Sequence, residues 1–277
     1  MKRRILGLIG LICLIGVVSC DKIEPGNYTT GTTDGGSNWE NANVHRVYVE
    51  KYTGPKCPNC PAADMTLDEA HHKYGDRLVI ISINHPKGQG EPFPGDPDMR
   101  TDEGNIWDNY FGINAIPAAY INRSTTTQYS GAMSNIIADI KDVISQAPQA
   151  GVEVGAILGD DDTLRITVDV ELFRQMDDGI TLTLALTEDS LKYRQINGSV
   201  IDSNYIHNHM LRAVITDVWG NDIPLEGNAG EHKIGQFKYK LTNPDINIEN
   251  CHVVALVSRK SDRYVLNCAE TTIQLVY

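Results

Sequence analysis

The first apolar stretch, residues 5–18, contains no charge and follows Lys2, Arg3 and Arg4. It is short for a helix that stays in a bilayer and has the length of the apolar part of an export leader. Residues 21–43 show no hydrophobic period and are rich in Gly, Thr, Ser and Asn, which predicts a flexible tether over 20–43. Beyond it, strand and helix patterns follow one another. Residues 45–52 alternate as a strand that stops at Thr53-Gly54-Pro55, and a helix is expected over 57–74, ended by Gly75. Residues 77–83 form a nearly unbroken apolar run, as in a strand buried on both faces. Residues 85–104, broken by Pro and Gly, read as an irregular loop whose 91–103 segment is either a lid or a plain insertion. A short helix over 106–111 and strands at 118–122 and 126–129 come next. Residues 134–145 place Ile136, Ile137, Ile140 and Ile144 on one helical face.

From residue 149 only strand patterns remain. Leu164, Ile166, Val168, Val170 and Leu172 alternate with Arg165, Thr167, Asp169 and Glu171, and Ile180, Leu182, Leu184 and Leu186 do the same. Further strands are expected at 152–158, 210–217, 233–241, 251–258 and 263–275. Strands of this spacing joined by Gly, Asn and Asp turns predict an all-β unit of the immunoglobulin-like sandwich kind. The chain then divides into a leader (1–19), a tether (20–43), an α/β unit (44–148) and a β unit (149–277).

The leader ends in Val17-Val18-Ser19-Cys20. This resembles the lipobox of bacterial lipoproteins, in which the Cys after the cut becomes the acylated N-terminus. An ordinary leader followed by a chance Cys is the alternative. Acyl chains on Cys20 would make the membrane a partner, and several chains on one residue hold stably where one is marginal. The net charge of −12, with three positive charges lost in the leader, becomes about −15. Nucleic acid is therefore not expected as a partner.

Of six Cys residues, Cys13 would leave with the leader and Cys20 would carry lipid. Cys57 with Cys60 and Cys251 with Cys268 remain, an even number that suits an oxidising compartment. Strand, Cys57-Pro58-Asn59-Cys60, helix, buried strand and Ile116-Pro117 before another strand follow the order of the thioredoxin fold, and the resemblance covers residues 44–147. It implies Cys57 at the helix N-terminus, where orphan N–H groups and Lys56 favour a thiolate, with Cys60 as resolver. It also implies a cis bond before Pro117 facing the pair, and a buried acid at the end of the first strand. Glu50 is the candidate acid, although it stands one residue off the usual offset, which Lys51 occupies.

A structural disulfide or half of a zinc site are the other readings of such a motif. No second Cys-x-x-Cys or Cys-x-x-His completes a zinc site, so no metal is expected, and no motif calls for a cofactor. Cys251 and Cys268 flank a turn at 259–262 and suggest a cross-strand disulfide, with two free thiols as the alternative. His207 and His209 share one face of an extended segment, where His85 or His252 could join them; a turn or packing role is preferred. His71 and His72 are expected on the exposed side of the first helix.

The lipobox, residues 50–61, Ile116-Pro117 and the run Tyr205-x-His207-Asn208-His209-x-Leu211-Arg212 together resemble a Bacteroidetes outer-membrane lipoprotein family. Its members join a thioredoxin-like domain to a C-terminal β domain, and the resemblance implies an outer-membrane location. Two functions are compatible with these signals. One is a thiol–disulfide oxidoreductase acting on the thiols and disulfides of exported proteins through Cys57, Cys60 and Pro117. The other is a surface binding or adhesion lipoprotein in which the fold is not catalytic.

Overall fold

The computed structural model describes residues 27–29 and 43–276. The leader and Cys20 lie outside them. Three residues of the expected tether, Asn27–Thr29 (β1), form a strand, so that segment is not structureless throughout. The α/β part consists of β2 (Val47–Thr53), α1 (Cys60–Tyr74), β3 (Leu78–Asn84), α2 (Asp102–Phe111), β4 (Ala118–Ile121), β5 (Tyr129–Ser130) and α3 (Ile136–Ile144). Strand β2 pairs parallel with β3 and antiparallel with β4, and β4 pairs with β5. Alternation along β2 sends its side chains to two layers. Val47 and Val49 pack against Ala63, Leu67 and Ala70 of α1 and Ile136 and Ile140 of α3. Tyr48 and Tyr52 pack on the opposite face with Trp107 of α2.

Helix α1 begins at Cys60 rather than Cys57. Pro58 and Asn59 form a turn, and Pro61 sits in the first helical turn, where a missing N–H breaks no helix bond. Its end is as expected, with Gly75 at a φ of 57°. Helix α2 starts four residues before its sequence pattern suggested, because the Thr101 side chain accepts from the Gly104 N–H and caps it.

The remaining strands are β6 (Ala150–Leu158), β7 (Thr163–Leu172), β8 (Ile180–Glu188), β9 (Leu191–Asn197), β10 (Val200–His207), β11 (Met210–Val214), β12 (Asn221–Asp222), β13 (His232–Lys240), β14 (Cys251–Arg259) and β15 (Val265–Leu275). Apart from β9 and β10, which form a two-stranded sheet of their own, these strands join those of the α/β part in one sheet of order β1-β13-β7-β6-β15-β14-β8-β11-β3-β2-β4-β5, with β12 attached to β8, so the β unit expected as an immunoglobulin-like sandwich is not separate from the α/β part. Strand β15 forms the corner, antiparallel to β14 along most of its length and parallel to β6 at its end. The two limbs then face each other across a core of Val152, Ile166, Val168, Leu182, Leu184, Phe237, Val253 and Ala255. The opposite face of β8 and β14, with Ala185, Val254 and Leu256, joins the layer of Tyr48, Tyr52 and Trp107. Strand β11 closes the junction by pairing with both β8 and β3. It thereby covers the edge of β3 that would otherwise stand open.

The expected Cys251–Cys268 disulfide does not form; both residues are free thiols. Cys268 stands opposite Leu256, not Cys251. Five residues of strand separate the two levels, about 17 Å, far beyond disulfide reach. They also belong to different cores. Burial pushes the Cys251 thiol up to about 12 and raises that of Cys268 still further. Neither residue should react with iodoacetamide in the native protein at pH 8, whereas both should react in urea. A Cys251–Cys268 peptide in a non-reducing digest would contradict the register.

Candidate redox site at Cys57 and Cys60

The site grows out of the end of β2. Gly54-Pro55-Lys56 turns the chain into Cys57, and Cys57 and Cys60 are joined by a disulfide with Cα atoms 5.4 Å apart. Cys60 opens α1, so the positive end of the helix dipole lies beside the pair, while the Cys60 and Ala62 N–H groups bond Cys57 O and Asn59 O and Pro61 has none. The Ile116–Pro117 bond is cis. Because Tyr52 pairs with Ala118, Pro117 and the loop that follows β2 stand at the same end of the sheet.

Glu50 is not placed to serve the pair. Its neighbours Tyr48 and Tyr52 share its face of β2, opposite the face that packs on α1. There Glu50 is fully buried, accepting from Arg123 Nε at 2.7 Å, from Tyr48 Oη at 2.8 Å and from Tyr52 Oη. The one-residue offset noted in the sequence is what moves it to the wrong side. Asn122 and Arg123, both at positive φ, turn the chain so that Arg123 enters this layer beneath the ring of Trp107 at 4.4 Å.

Lys51 takes the α1 face and pairs with Asp64. Asp64 follows Cys60 by one helical turn and so lies on the same side of α1. Tyr205 Oη donates to the other oxygen of Asp64 at 2.7 Å.

Both cysteines are closed off, with Cys57 0 % and Cys60 1 % exposed. The β9–β10 hairpin lies on the main chain of residues 54–58. Gln195 Nε2 donates to Cys57 O at 2.9 Å and Gly54 O at 3.3 Å. The Ile196 N–H bonds Pro55 O at 2.8 Å and the Gly198 N–H bonds Pro58 O at 3.0 Å. The 91–103 loop braces the hairpin, since Arg194 grips the Asp96 carboxylate and Pro94 O. Phe93 of that loop lies under Arg194 at 4.9 Å and beside Lys56 at 5.8 Å. The Lys56 side chain is thus engaged with the loop.

Of the histidines, His209 and His252 meet at Asp189, whereas His85 and His207 have other partners. His85 bonds Asp108 at 2.7 Å on α2. His207 is buried against Tyr205, and desolvation pushes its imidazole down to about 4. His209 and His252 lie 3.6 and 3.8 Å from Asp189. His71 is half-buried against the His209 ring, while His72 is exposed as expected. Among the described residues no group of three or more His, Cys, Asp or Glu is disposed to hold a metal, and no helix is long and apolar enough to cross a membrane.

Gln195, Asp64 and Arg123 have no signature at the level of sequence. The hairpin has one, Gly198-Ser199 between two strand-forming segments, with Gly198 at a φ of 60° as the first residue of a two-residue turn. It is obscured because Gln195, the inward residue next to the pair, is polar.

The sequence model of a family described as "Outer membrane protein Omp28" matches residues 105–275, more than half of the chain. A probable thioredoxin of Methanothermobacter marburgensis is 32% identical over 76 residues, covering 27% of this chain and 71% of that protein. The corresponding protein of Methanothermobacter thermautotrophicus is 30% identical over the same shares. Among solved structures, HBP35 of Porphyromonas gingivalis superposes with a TM-score of 0.67 at 18% identity, over 83% of this chain and 76% of that chain. At that identity the likeness is one of fold. The chain belongs to the Omp28 outer membrane protein family, located at the outer membrane, and carries within it a segment homologous to thioredoxin.

Proposed function

We propose that the protein is an outer-membrane lipoprotein, anchored through acylated Cys20, that exchanges disulfides with exported proteins through Cys57 and Cys60. The observation that carries this reading is the Cys57–Cys60 disulfide at the start of α1, at the sheet end that also holds Pro117. The positive end of the α1 dipole there favours a thiolate on reduction. In the oxidised state a substrate thiolate attacks Cys57 Sγ and Cys60 leaves. The second substrate thiol then displaces Cys57 and the substrate departs as a disulfide. Residues 44–148 supply this chemistry, and residues 149–277 supply the cover and the surroundings of the pair.

The test is oxidation of a dithiol peptide by the full chain in detergent. Cys57→Ala should abolish it, and reduced Cys60→Ser, mixed with the same peptide in its disulfide form, should accumulate a mixed disulfide through Cys57 as the peptide's other sulfur leaves as a thiol. Oxidation that survives Cys57→Ala unchanged would sink the reading.

The complete burial of Cys57 favours a second reading, a binding lipoprotein whose disulfide is structural. Under it, Cys57→Ala/Cys60→Ala would lower stability while leaving ligand capture intact, and wild type would oxidise no peptide.

A further inference from the structure

We infer that the β9–β10 hairpin is a gate, which seals the Cys57–Cys60 disulfide when closed and admits a partner thiol only when lifted. The inference rests on the redox reading given above.

Three features of the hairpin support it. Strands β9 and β10 pair only with each other, in a two-stranded sheet separate from the main one. Lifting them therefore breaks no ladder of the main sheet. Next, what holds the hairpin down is mostly polar: Gln195, Ile196 and Gly198 on the carbonyls of residues 54–58, Arg194 on Asp96, and Tyr205 on Asp64. Between residues 192 and 206 only Gln195 is buried, whereas Val200, Ile201 and Ile206 are exposed. Contacts of this kind are exchanged for water at small net cost, which places the hairpin at the low end of local stability. The apolar anchors, Leu191 against Met99 and Met210, lie at the base instead.

The third feature is a hinge. Ser190 and His209 flank the hairpin on its two sides, both at positive φ, 60° and 59°. The Ser190 N–H is tied to Asn208 Oδ1 at 2.9 Å across the base. The hairpin can swing about this pair of positions, and Leu191 and His207, close to them in the chain, move least.

Opening bares the loop of residues 54–58 and with it Cys57 Sγ. The exchange is then balanced. A substrate dithiol gives two electrons to the pair and leaves as a disulfide, and its two protons end on Cys57 and Cys60.

The test follows reduction of Cys57–Cys60 by a fixed concentration of the phosphine TCEP in the full chain, together with hydrogen exchange at the Ile196 and Gly198 amides. Gln195→Ala and, independently, Tyr205→Phe each remove a contact that holds the hairpin down. Each should speed reduction and amide exchange by a common factor of about five to ten, with the urea midpoint of the whole protein unchanged. Reduction rates within twofold of wild type in both variants would overturn the gate. A variant that is reduced faster yet oxidises no dithiol peptide would uphold the gate and remove the oxidoreductase reading.

Discussion

Arg123→Ala is expected to destabilise the protein by about 3–5 kcal/mol, the cost typical of breaking a buried ion pair from one side. Arg123 and Glu50 are both almost wholly inaccessible, 1% and 0% exposed at the side chain. Removal of the guanidinium leaves the Glu50 carboxylate with only the two tyrosine hydroxyls as donors. It also empties the space between the rings of Trp107, Trp219 and Tyr48. Urea unfolding measures the loss. Replacing both partners by apolar groups of like volume, Glu50→Leu with Arg123→Met, should cost far less than Arg123→Ala alone, because no unpaired charge remains. A double variant no better than the single one would mean that packing, not charge, dominates the site.

Gly90→Ala is expected to rank next in damage. A Cβ at residue 90 would stand 1.8 Å from the His85 carbonyl oxygen, a backbone atom that cannot step aside. The reciprocal position is Gly54, where a Cβ would meet Gln89 O at 2.4 Å and Gly90 Cα at 2.5 Å. The two loops pass in backbone contact, fixed by the bond from Lys56 N to Gln89 O at 2.9 Å. Forcing them apart should cost at least the 1–3 kcal/mol usual for overpacking. It should also shift residues 54–57 and speed reduction of the disulfide. Unfolding midpoints and TCEP reduction rates of Gly90→Ala and Gly54→Ala check both effects. Wild-type values in both variants would show that the loops have room to move.

Much of the architecture is legible from residue pattern because period and burial coincide. Leu164 to Leu172 and Ile180 to Leu186 alternate in the sequence and alternate in the sheet, with the even-numbered residues in the core. The apolar run at 77–83 becomes β3, buried at every position. The α1 terminus at Gly75 is read correctly from one residue. Where the reading fails, tertiary context decides. Alternation says which face of β8 is apolar but not that the other face, with Thr181, Thr183 and Thr187, is buried too. That second buried face makes one bent sheet of what reads as a separate sandwich. A turn between two strands suggests that Cys251 and Cys268 meet; register, which the turn alone does not specify, keeps them apart.

At the site, the local motif is visible and its surroundings are not. Cys57, Cys60 and Pro117 stand out because Cys-x-x-Cys and Ile-Pro carry recognisable chemistry. Glu50 misleads because a single residue of offset on a strand exchanges the two faces. The hairpin over the pair comes from more than a hundred residues downstream, and its contacts go to main-chain carbonyls, which leave no trace in the sequence of their partner.

The most direct measurement is the reduction potential of the Cys57–Cys60 pair, by equilibration with glutathione redox buffers. The account predicts a value in the range of working oxidoreductases, about −120 to −270 mV. A value below about −300 mV would contradict it and identify the pair as a structural disulfide.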